Sequence, residues 1–278
     1  MMLVADSGST KSQWADVETG NMTVTEGLNP HLSSDAVLLG AFEQVRQYYG
    51  TPARGCTIAF YGAGCGDRRQ AERMETLLKK AFDSMSVSVE SDLLGACRAV
   101  SGGEPCLVGI LGTGSNACYY DGSSIVLKRP SLGYLLGDEG SANHVGRLLL
   151  RSYLNGTMDE ELSLMFHDTY PYSHSDWLHQ LYQRPNANRF LASLAPFAVG
   201  HCERHECAEL INNVLYEWYN LQLLPLQQKS GCGRLRVVGG FAKAIEPQLR
   251  ENMAHKGLEV DGVMAAPIEG LIRHHRGL

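Results

Sequence analysis

Two stretches of this 278-residue chain share one pattern: LVADSGSTKSQWADVETGN at residues 3–21 and LVGILGTGSNACYYDGSSI at residues 107–125. Each stretch predicts an apolar strand, a turn of Gly, Ser and Thr, a second strand, a polar turn and the start of a third strand. Two hairpins can resemble each other by chance, but the matching order and turn chemistry favour a repeat. A repeat about 100 residues apart predicts two similar domains, each offering a glycine-rich hairpin.

The remaining apolar pattern predicts an α/β protein in which further strands and helices follow each hairpin. We expect the first domain to span residues 1–105 and the second to span residues 106–267, with a terminal helix at 268–278 that returns to the first domain. Strands are predicted at 56–61, 87–90 and 234–238, and helices at 35–49, 69–82, 93–100, much of 141–226, and 242–255.

Composition and charge exclude several classes of function. The chain carries 24 Lys and Arg against 30 Asp and Glu without a basic cluster, which disfavours nucleic acid as a partner. No apolar run reaches the roughly 18 residues that would span a bilayer, and MMLVADSGST lacks the features of a signal peptide. The eight cysteines include no C-x-x-C pair, which favours reduced thiols over a disulfide framework. Together these observations predict a cytoplasmic protein that binds neither membranes nor nucleic acid.

The first hairpin has the chemistry of a phosphate-binding turn. Glycine lets the backbone approach an anion closely, and small turns present several N–H groups to it. We expect this role for Gly8, Ser9, Thr10 and Lys11. Asp6, at the end of the preceding strand, is a candidate anchor for Mg²⁺, which prefers oxygen ligands and retains waters. The alternative is an ordinary polar turn in which Asp6 accepts backbone hydrogen bonds.

Three later motifs point to the same chemistry. Gly112, Thr113, Gly114 and Ser115 repeat the phosphate-binding turn, and GDEGS at 137–141 places two carboxylates between glycines before a helix. Glu139 is otherwise a first-turn helix acid. VVGGFA at 237–242 is a strand, Gly239-Gly240 and a helix, which suits a flat nucleoside but also an ordinary connection. The sequence contains neither a P-loop motif nor a dinucleotide-binding fingerprint.

In this order, ADSGSTKSQW, GTGSNAC, GYLLGDEGSA and VVGGFA resemble the motifs of the acetate-kinase/sugar-kinase/Hsp70/actin superfamily. Within it, the chain is similar to the N-acetylglucosamine kinase branch of the BadF/BadG/BcrA/BcrD ATPase family, over nearly its whole length. The resemblance implies two ribonuclease H-like (actin-like ATPase) domains with a nucleotide cleft between them. It also implies ATP and Mg²⁺ as cofactors.

The resemblance also implies roles for single residues. Asp92 lies at a strand end and helix start, where the residues alone favour an N-cap, but it matches the catalytic aspartate of the family, and the resemblance favours that role. An Asp there can orient an attacking hydroxyl and accept its proton. His31 departs from the family pattern, because it stands where an aromatic residue contacting the acetamide is expected. The implied substrate-binding set is Asn29, His31, Asn116, Asp138 and Glu139; Asn29 alternatively serves a turn before Pro30.

The function that the resemblance implies is an ATP-dependent sugar kinase, with N-acetylglucosamine 6-phosphate as product. Two alternatives stay open: an ATPase activator of an iron–sulfur dehydratase or reductase, and a nucleotide-dependent binding module. A homodimer is also compatible with the resemblance. Among the remaining residues, GHCERHEC at 200–207 favours a solvated helix face over a zinc site, His274-His275 favours a polar tail, and Trp14 favours packing over binding.

Overall fold

The computed structural model describes residues 1–50 and 53–278, and the chain folds into two compact units. The first unit consists of Met1–Val108, Tyr120–Val126 and Ala266–Leu278, and the second of Gly109–Tyr119 and Leu127–Ala265. Both units are built from helices and a five-stranded sheet, as the α/β prediction requires.

The sheet of the first unit has the strand order β3-β2-β1-β4-β5. These strands are β1 (Met2–Ser7), β2 (Lys11–Asp16), β3 (Met22–Glu26), β4 (Thr57–Gly62) and β5 (Val87–Ser91). The first three strands are antiparallel, which confirms the predicted meander, and β4 and β5 run parallel to β1. The register pairs Asp6 with Gln13 on β2 and with Tyr61 on β4, so these three side chains share one face of the sheet.

Two helices cover the opposite face of this sheet, α1 (Asp35–Tyr49) and α2 (Arg68–Phe82). Trp14 is fully buried there, with its ring 6.0 Å from that of Phe42 and 6.1 Å from that of Phe82. Aromatic rings at such distances contribute beyond the area that they bury. The packing role predicted for Trp14 is therefore confirmed.

The other helices of the first unit are α3 (Asp92–Val100) and the final helix, α14 (Ile268–His275), which packs against α3, β1 and β2. Gly270 allows this crossing, because a Cβ there would lie 2.3 Å from the carbonyl oxygen of Ala99. The short helix is amphipathic, and Leu271 and Ile272 are buried. Hydrophobic burial thus holds the chain end in place.

The prediction of a polar tail at His274-His275 is wrong for His275. Its Nε2 lies 3.0 Å from Oη of Tyr61, which also accepts a hydrogen bond of 2.8 Å from Arg98. Burial, followed by the positive charges of His274 and Arg98, lowers the pKa of His275 to about 4. The ring is therefore neutral at physiological pH and belongs to the packed face of the first unit.

The second sheet has the order β10-β9-β6-β7-β8. Its strands are β6 (Cys106–Leu111), β7 (Ser115–Tyr120), β8 (Ile125–Lys128), β9 (Arg234–Val238) and β10 (Glu259–Met264). Taken in chain order, these strands occupy the same places as the five strands of the first sheet. The repeated hairpin therefore corresponds to a repeated sheet topology, and the predicted repeat is confirmed.

Strand β10 was not predicted from the sequence. It reads EVDGVM, in which Asp and Gly are poor strand formers, and its register shifts between Val260 and Gly262. Pairing with β9 stabilises it, and Arg236 on β9 donates two hydrogen bonds, of 2.9 and 3.0 Å, to the carboxylate of Asp261. These contacts come from a strand about 25 residues away in sequence, so local propensity could not indicate them.

The second unit is otherwise helical, as predicted for 141–226. Its helices are α4 (Gly133–Leu136), α5 (Ala142–Leu154), α6 (Glu160–Thr169), α7 (His174–Tyr182), α8 (Ala187–Ala192), α9 (Ala195–Gly200), α10 (His205–Trp218), a π-helical turn (Tyr219–Leu223), α11 (Leu224–Ser230), α12 (Gly240–Ala244) and α13 (Glu246–Ala254). The single helix predicted at 242–255 is two helices, because Pro247 suits only a first helical turn and so starts α13.

Within the described residues, none of the helices combines the length and apolarity needed to cross a membrane. The eight cysteines are free thiols, and six of them are buried. Burial raises the pKa of the Cys56 and Cys207 thiols to about 11, so these two side chains act as small apolar groups in the core.

Candidate active site

The first hairpin joins β1 to β2 through a tight turn in which the N–H of Gly8 donates to the carbonyl of Lys11 at 3.0 Å. Gly27 lies directly against this turn: a Cβ there would be 2.4 Å from the carbonyl oxygen of Ser9. The N–H of Gly27 also donates to the carbonyl of Thr10 at 3.1 Å. The carbonyl groups of the turn therefore face buried Gly27, an orientation that suits binding of an anion on the other side.

The surroundings of Asp6 disfavour the ionised form of its carboxyl group. Its pKa is raised to about 7, first by burial and second by the negative charge of Asp92, while Lys11 acts in the opposite direction. Buried charges are costly unless they are paired. The negative charge of Asp92 thus disfavours ionisation of Asp6, and a cation bound between the two carboxylates would relieve this repulsion.

Asp92 occupies the first helical position of α3, and it is not the N-cap. Ser91 is the N-cap, and its Oγ accepts a hydrogen bond of 3.2 Å from the N–H of Leu94. The alternative that Asp92 caps the helix is therefore wrong. Strand β5 extends one residue further than predicted, to Ser91, so that Ser91 is the N-cap and Asp92 is the first helical residue. The carboxylate of Asp92 accepts from the N–H of Leu93 at 2.9 Å, and the helix dipole favours its negative charge.

The loop after β4, at residues 62–66, connects Asp92 with the predicted sugar-binding residues. Gly64 has a φ of +85°, and a Cβ there would lie 2.5 Å from Oδ1 of Asn29 and 3.0 Å from the His31 ring. Gly66 lies against Ser91, and the charge of Asp92 contributes to raising the pKa of Cys65 to about 12. This loop thus has Asn29 and His31 on one side and Ser91-Asp92 on the other.

Asn29 serves as a turn residue in this arrangement as well. Its Oδ1 accepts from the N–H of His31 at 2.9 Å, and its carbonyl accepts from the N–H groups of Leu32 and Ser33. The side-chain Nδ2 is therefore the part of Asn29 that remains for a ligand. Gly64, which contacts two of the predicted site residues, was not among those predicted, although the G-A-G turn at 62–64 is visible in the sequence.

In the second unit, the start of α5 supports the second hairpin. The N–H of Ala142 donates to the carbonyl of Gly112 at 3.0 Å, and the N–H of Asn143 donates to the carbonyl of Thr113 at 3.1 Å. The first helical N–H groups, which lack partners within a helix, are thereby satisfied by the hairpin. As in the first hairpin, carbonyl groups of the turn face the protein.

Asp138 is bound to the same hairpin. Its backbone is left-handed, with φ of 59°, and its carboxylate accepts from the N–H of Ser115 at 3.3 Å and from Nδ2 of Asn143 at 2.8 Å. Burial raises the pKa of Asp138, and these two hydrogen bonds act against that effect. A Cβ on Gly114 would lie 2.8 Å from the carboxylate, so the glycine permits the contact.

Gly239 brings the strand-to-helix motif to the same place. Its φ is +136°, and a Cβ there would lie 2.0 Å from the carbonyl oxygen of Leu111 and 3.1 Å from the N–H nitrogen of Gly112. A glycine is therefore required where β9 ends beside β6. Gly240 follows as the first residue of α12 and is exposed.

Asn116 and Glu139 are placed differently from the rest of the predicted set. Asn116 follows the second hairpin on β7, where its Oδ1 accepts from the N–H of Ala117 at 2.9 Å. Glu139 accepts a hydrogen bond of 2.8 Å from Nε2 of Gln222 in the π-helical turn. Glu139 thus already has a protein partner, whereas Asp138 is held at the hairpin.

The GHCERHEC segment is not organised as a metal site. His201 lies 3.7 Å from Glu203, and His205 lies 3.7 Å from Glu209. Throughout residues 1–50 and 53–278, His, Cys, Asp and Glu side chains form no group of three or more that could hold a metal ion.

The predicted residues therefore come together in two sets. The first unit assembles the first hairpin with Asp6, Asn29, His31 and Asp92, and the second unit assembles the second hairpin with Asp138 and Gly239. Asn143 is a further participant that the sequence reasoning missed. Its signal was an Asn directly after GDEGSA, at a helix position where the neighbours are buried.

The chain matches no family model, and no curated protein is similar to it in sequence. Among solved structures, it is similar to a Porphyromonas gingivalis protein provisionally named N-acetylglucosamine kinase, with 32% identity over 100% of this chain and 99% of the other, and a TM-score of 0.94. A Chromobacterium violaceum protein with the same provisional name is 19% identical over 98% of each chain, with a TM-score of 0.76. A Streptomyces griseus glucokinase, in complex with glucose and AMPPNP, is 14% identical over 98% of this chain and 97% of the other, with a TM-score of 0.54.

These neighbours and the two assembled sets define the class: an actin-like ATPase fold of the kind found in sugar kinases. The predicted fold class is confirmed. More narrowly, the chain belongs to the N-acetylglucosamine kinase-like family represented by the Porphyromonas gingivalis protein.

Proposed function

We propose that the protein transfers the γ-phosphoryl group of ATP to the 6-hydroxyl of N-acetylglucosamine. The observation that carries the proposal is the position of Asp92, a carboxylate at the start of α3 beside both Asp6 and the loop that contacts Asn29 and His31. Membership of the N-acetylglucosamine kinase-like family supports the choice of acceptor.

In the proposed reaction, Asp92 orients the acceptor hydroxyl and accepts its proton as the phosphoryl group is transferred. Proton transfer of this kind typically contributes about 10²–10⁴-fold to the rate. Because Ser91 caps the helix, the carboxylate of Asp92 is not required for capping.

The chemistry of the donor set fits Mg²⁺. Proteins usually hold Mg²⁺ through one or two carboxylates together with substrate phosphates and waters, and Asp6 beside the first hairpin supplies one such carboxylate. The raised pKa of Asp6 reflects a buried charge that Lys11 offsets only in part, and a divalent cation would neutralise it. Asp6 would hold the ion, and the ion would supply charge neutralisation for the phosphates.

We assign the polyphosphate to the two hairpins and the nucleoside to Gly239-Gly240. Gly8, Ser9, Thr10 and Lys11 would serve one end of the phosphate chain, and Gly112, Thr113, Gly114 and Ser115 the other. Both turns orient carbonyl groups toward the protein, which supports a role for their N–H groups in anion binding. Gly239 approaches Leu111 closely and adds no side chain of its own where β9 ends, which supports placement of a flat base there.

We assign sugar-binding roles to Asn29 and His31 of the first unit and to Asn116, Asp138 and Glu139 of the second. Amide and carboxylate groups suit sugar hydroxyls, and a site built to hydrogen-bond a hydroxyl rejects analogues that lack it. His31, exposed at the loop, is the residue that we assign to the acetamide group.

The proposal is tested by measuring ADP release with N-acetylglucosamine, N-acetylmannosamine, glucosamine, glucose and 6-deoxy-N-acetylglucosamine. We expect the highest kcat/KM with N-acetylglucosamine, no phosphorylation of the 6-deoxy analogue, and a 6-phosphate product by ³¹P NMR. ADP release that is unaffected by every sugar would contradict the proposal and favour an ATPase activator. ATP binding without turnover would favour a binding module.

A further inference from the structure

Asn143 is a fully buried amide in the first turn of α5. Its Nδ2 donates to the carbonyl of Thr113 at 2.6 Å and to the carboxylate of Asp138 at 2.8 Å. Its backbone N–H also donates to Thr113, at 3.1 Å. One residue therefore connects the second hairpin, the start of α5 and the buried carboxylate.

The packing of α5 does not explain why this residue is polar. Asn143 is buried among the apolar Ala142 and Val145 and the polar Ser141 and His144, and an apolar side chain would fill a fully buried helix position at lower cost. In addition, Oδ1 of Asn143 is buried without a hydrogen-bond partner among the described residues. An amide that leaves one of its own atoms unsatisfied is explained by what Nδ2 does for Asp138 and Thr113.

The charges around Asp138 show why such a donor matters. Burial and the charge of Glu139 raise the pKa of Asp138, whereas the hydrogen bonds from Asn143 and Ser115 and the charge of Arg147 lower it. The hydrogen bond from Asn143 is the largest of the effects that lower the pKa of Asp138. Without it, the carboxylate would lose both its orientation and part of the stabilisation of its ionised form.

We infer that Asn143 is a positioning residue that holds the Asp138 carboxylate against the second hairpin in the orientation that binds the sugar. This inference rests on the proposed function, because it takes Asp138 to contact the sugar. Asn143 acts on the sugar indirectly, through its hydrogen bonds to Asp138 and Thr113.

The decisive variant is Asn143→Asp, which keeps the size of the side chain and replaces the donor with an oxygen. At pH 8, two carboxylates face each other, and we expect kcat/KM for N-acetylglucosamine to fall about 10- to 100-fold, mainly through KM. Toward pH 6 the pair can share a proton, and the protonated carboxyl donates a hydrogen bond in place of the amide. We therefore expect the deficit relative to the wild type to shrink as the pH falls.

The matched control is Asn252→Asp, which makes the same change in the same unit where Nδ2 donates to Asn212 and Gln248. It should keep the wild-type KM and pH profile. An Asn143→Asp variant with the KM and pH profile of the wild type would overturn the inference.

A second arm does not depend on kinase activity. In thermal melts, Asn143→Asp should be destabilised relative to the wild type more at pH 8 than at pH 6, and the exchanged pair Asp138→Asn/Asn143→Asp should regain part of that loss. A pH-independent loss, or no recovery in the exchanged pair, would overturn the inference. Absence of sugar phosphorylation by the wild type would count against the proposed function alone.

Discussion

Replacement of Asp92 by Asn separates catalysis from structure at this position. Because Ser91 is the N-cap, the variant leaves the cap intact. It removes a negative charge from the first turn of α3, which costs about 0.3–1 kcal/mol, and relieves repulsion with Asp6, which acts in the opposite direction. We therefore expect the melting temperature to change by about 3 °C or less. Loss of the general base should lower kcat by about 10²–10⁴-fold.

The assay combines ADP release with saturating N-acetylglucosamine, ATP binding by calorimetry, and thermal melting. Ser91→Ala is the matched control, because it removes the cap and keeps the carboxylate. It should lose about 1 kcal/mol of stability and retain its turnover. Near-wild-type kcat in Asp92→Asn would refute the catalytic role. If Ser91→Ala lowered kcat as severely as Asp92→Asn, the loss of turnover could not be attributed to the Asp92 carboxylate. That result would also refute the catalytic role.

Three further predictions concern the first unit. Asp6→Asn should lower kcat more than it weakens ATP binding. The wild type should lose turnover in EDTA and recover it with Mg²⁺. An unchanged kcat in Asp6→Asn would contradict the metal role. Gly64→Ala should raise KM for the sugar, because its Cβ would lie 2.5 Å from Oδ1 of Asn29; an unchanged KM would separate this loop from the sugar. The depressed pKa of His275, about 4, favours the folded state above pH 6.5, so that stability should be lost as the pH falls from about 6.5 toward 4. Melts of His275→Gln should lack this component, and an identical pH dependence in both proteins would contradict it.

Much of the fold could be predicted because local patterns determine it. The hairpin of β1 and β2 is encoded by turn residues, and α1 by apolar residues at helical spacing. The strand β10 and the docking of His275 could not be predicted, since both depend on partners distant in sequence. In the same way, the interruption between α12 and α13 at Ile245 depends on where Pro247 falls in the helix, which periodicity alone does not give.

The candidate site was predictable in its residue types and less so in its connections. Gly-rich turns and carboxylates stand out in a sequence, so Asp6 and Asp138 were evident. The contacts that give them their properties do not show in the residue types: Asp92, far away in sequence, raises the pKa of Asp6, and Asn143 binds Asp138 across a turn of five residues. Whether Asp92 or Ser91 caps α3 depends on a shift of one residue in the end of β5, which lies at Ser91. Element boundaries are the least certain part of any sequence-based prediction.

The two copies of the hairpin differ at the residue that we propose to hold a metal ion. When the two stretches are aligned, Asp6 of the first corresponds to Ile110 of the second, an apolar residue of β6. The first copy thus adds a negative charge at the end of its strand, whereas the second lacks one there. Since both turns face their carbonyl groups inward, both keep the polarity that suits phosphate, but the cation that we propose has a carboxylate to hold it in the first copy alone. Ile110→Asp should therefore give the second hairpin a carboxylate at the position of Asp6 and add a second Mg²⁺-dependent phase to turnover, and an unchanged Mg²⁺ dependence would contradict this division.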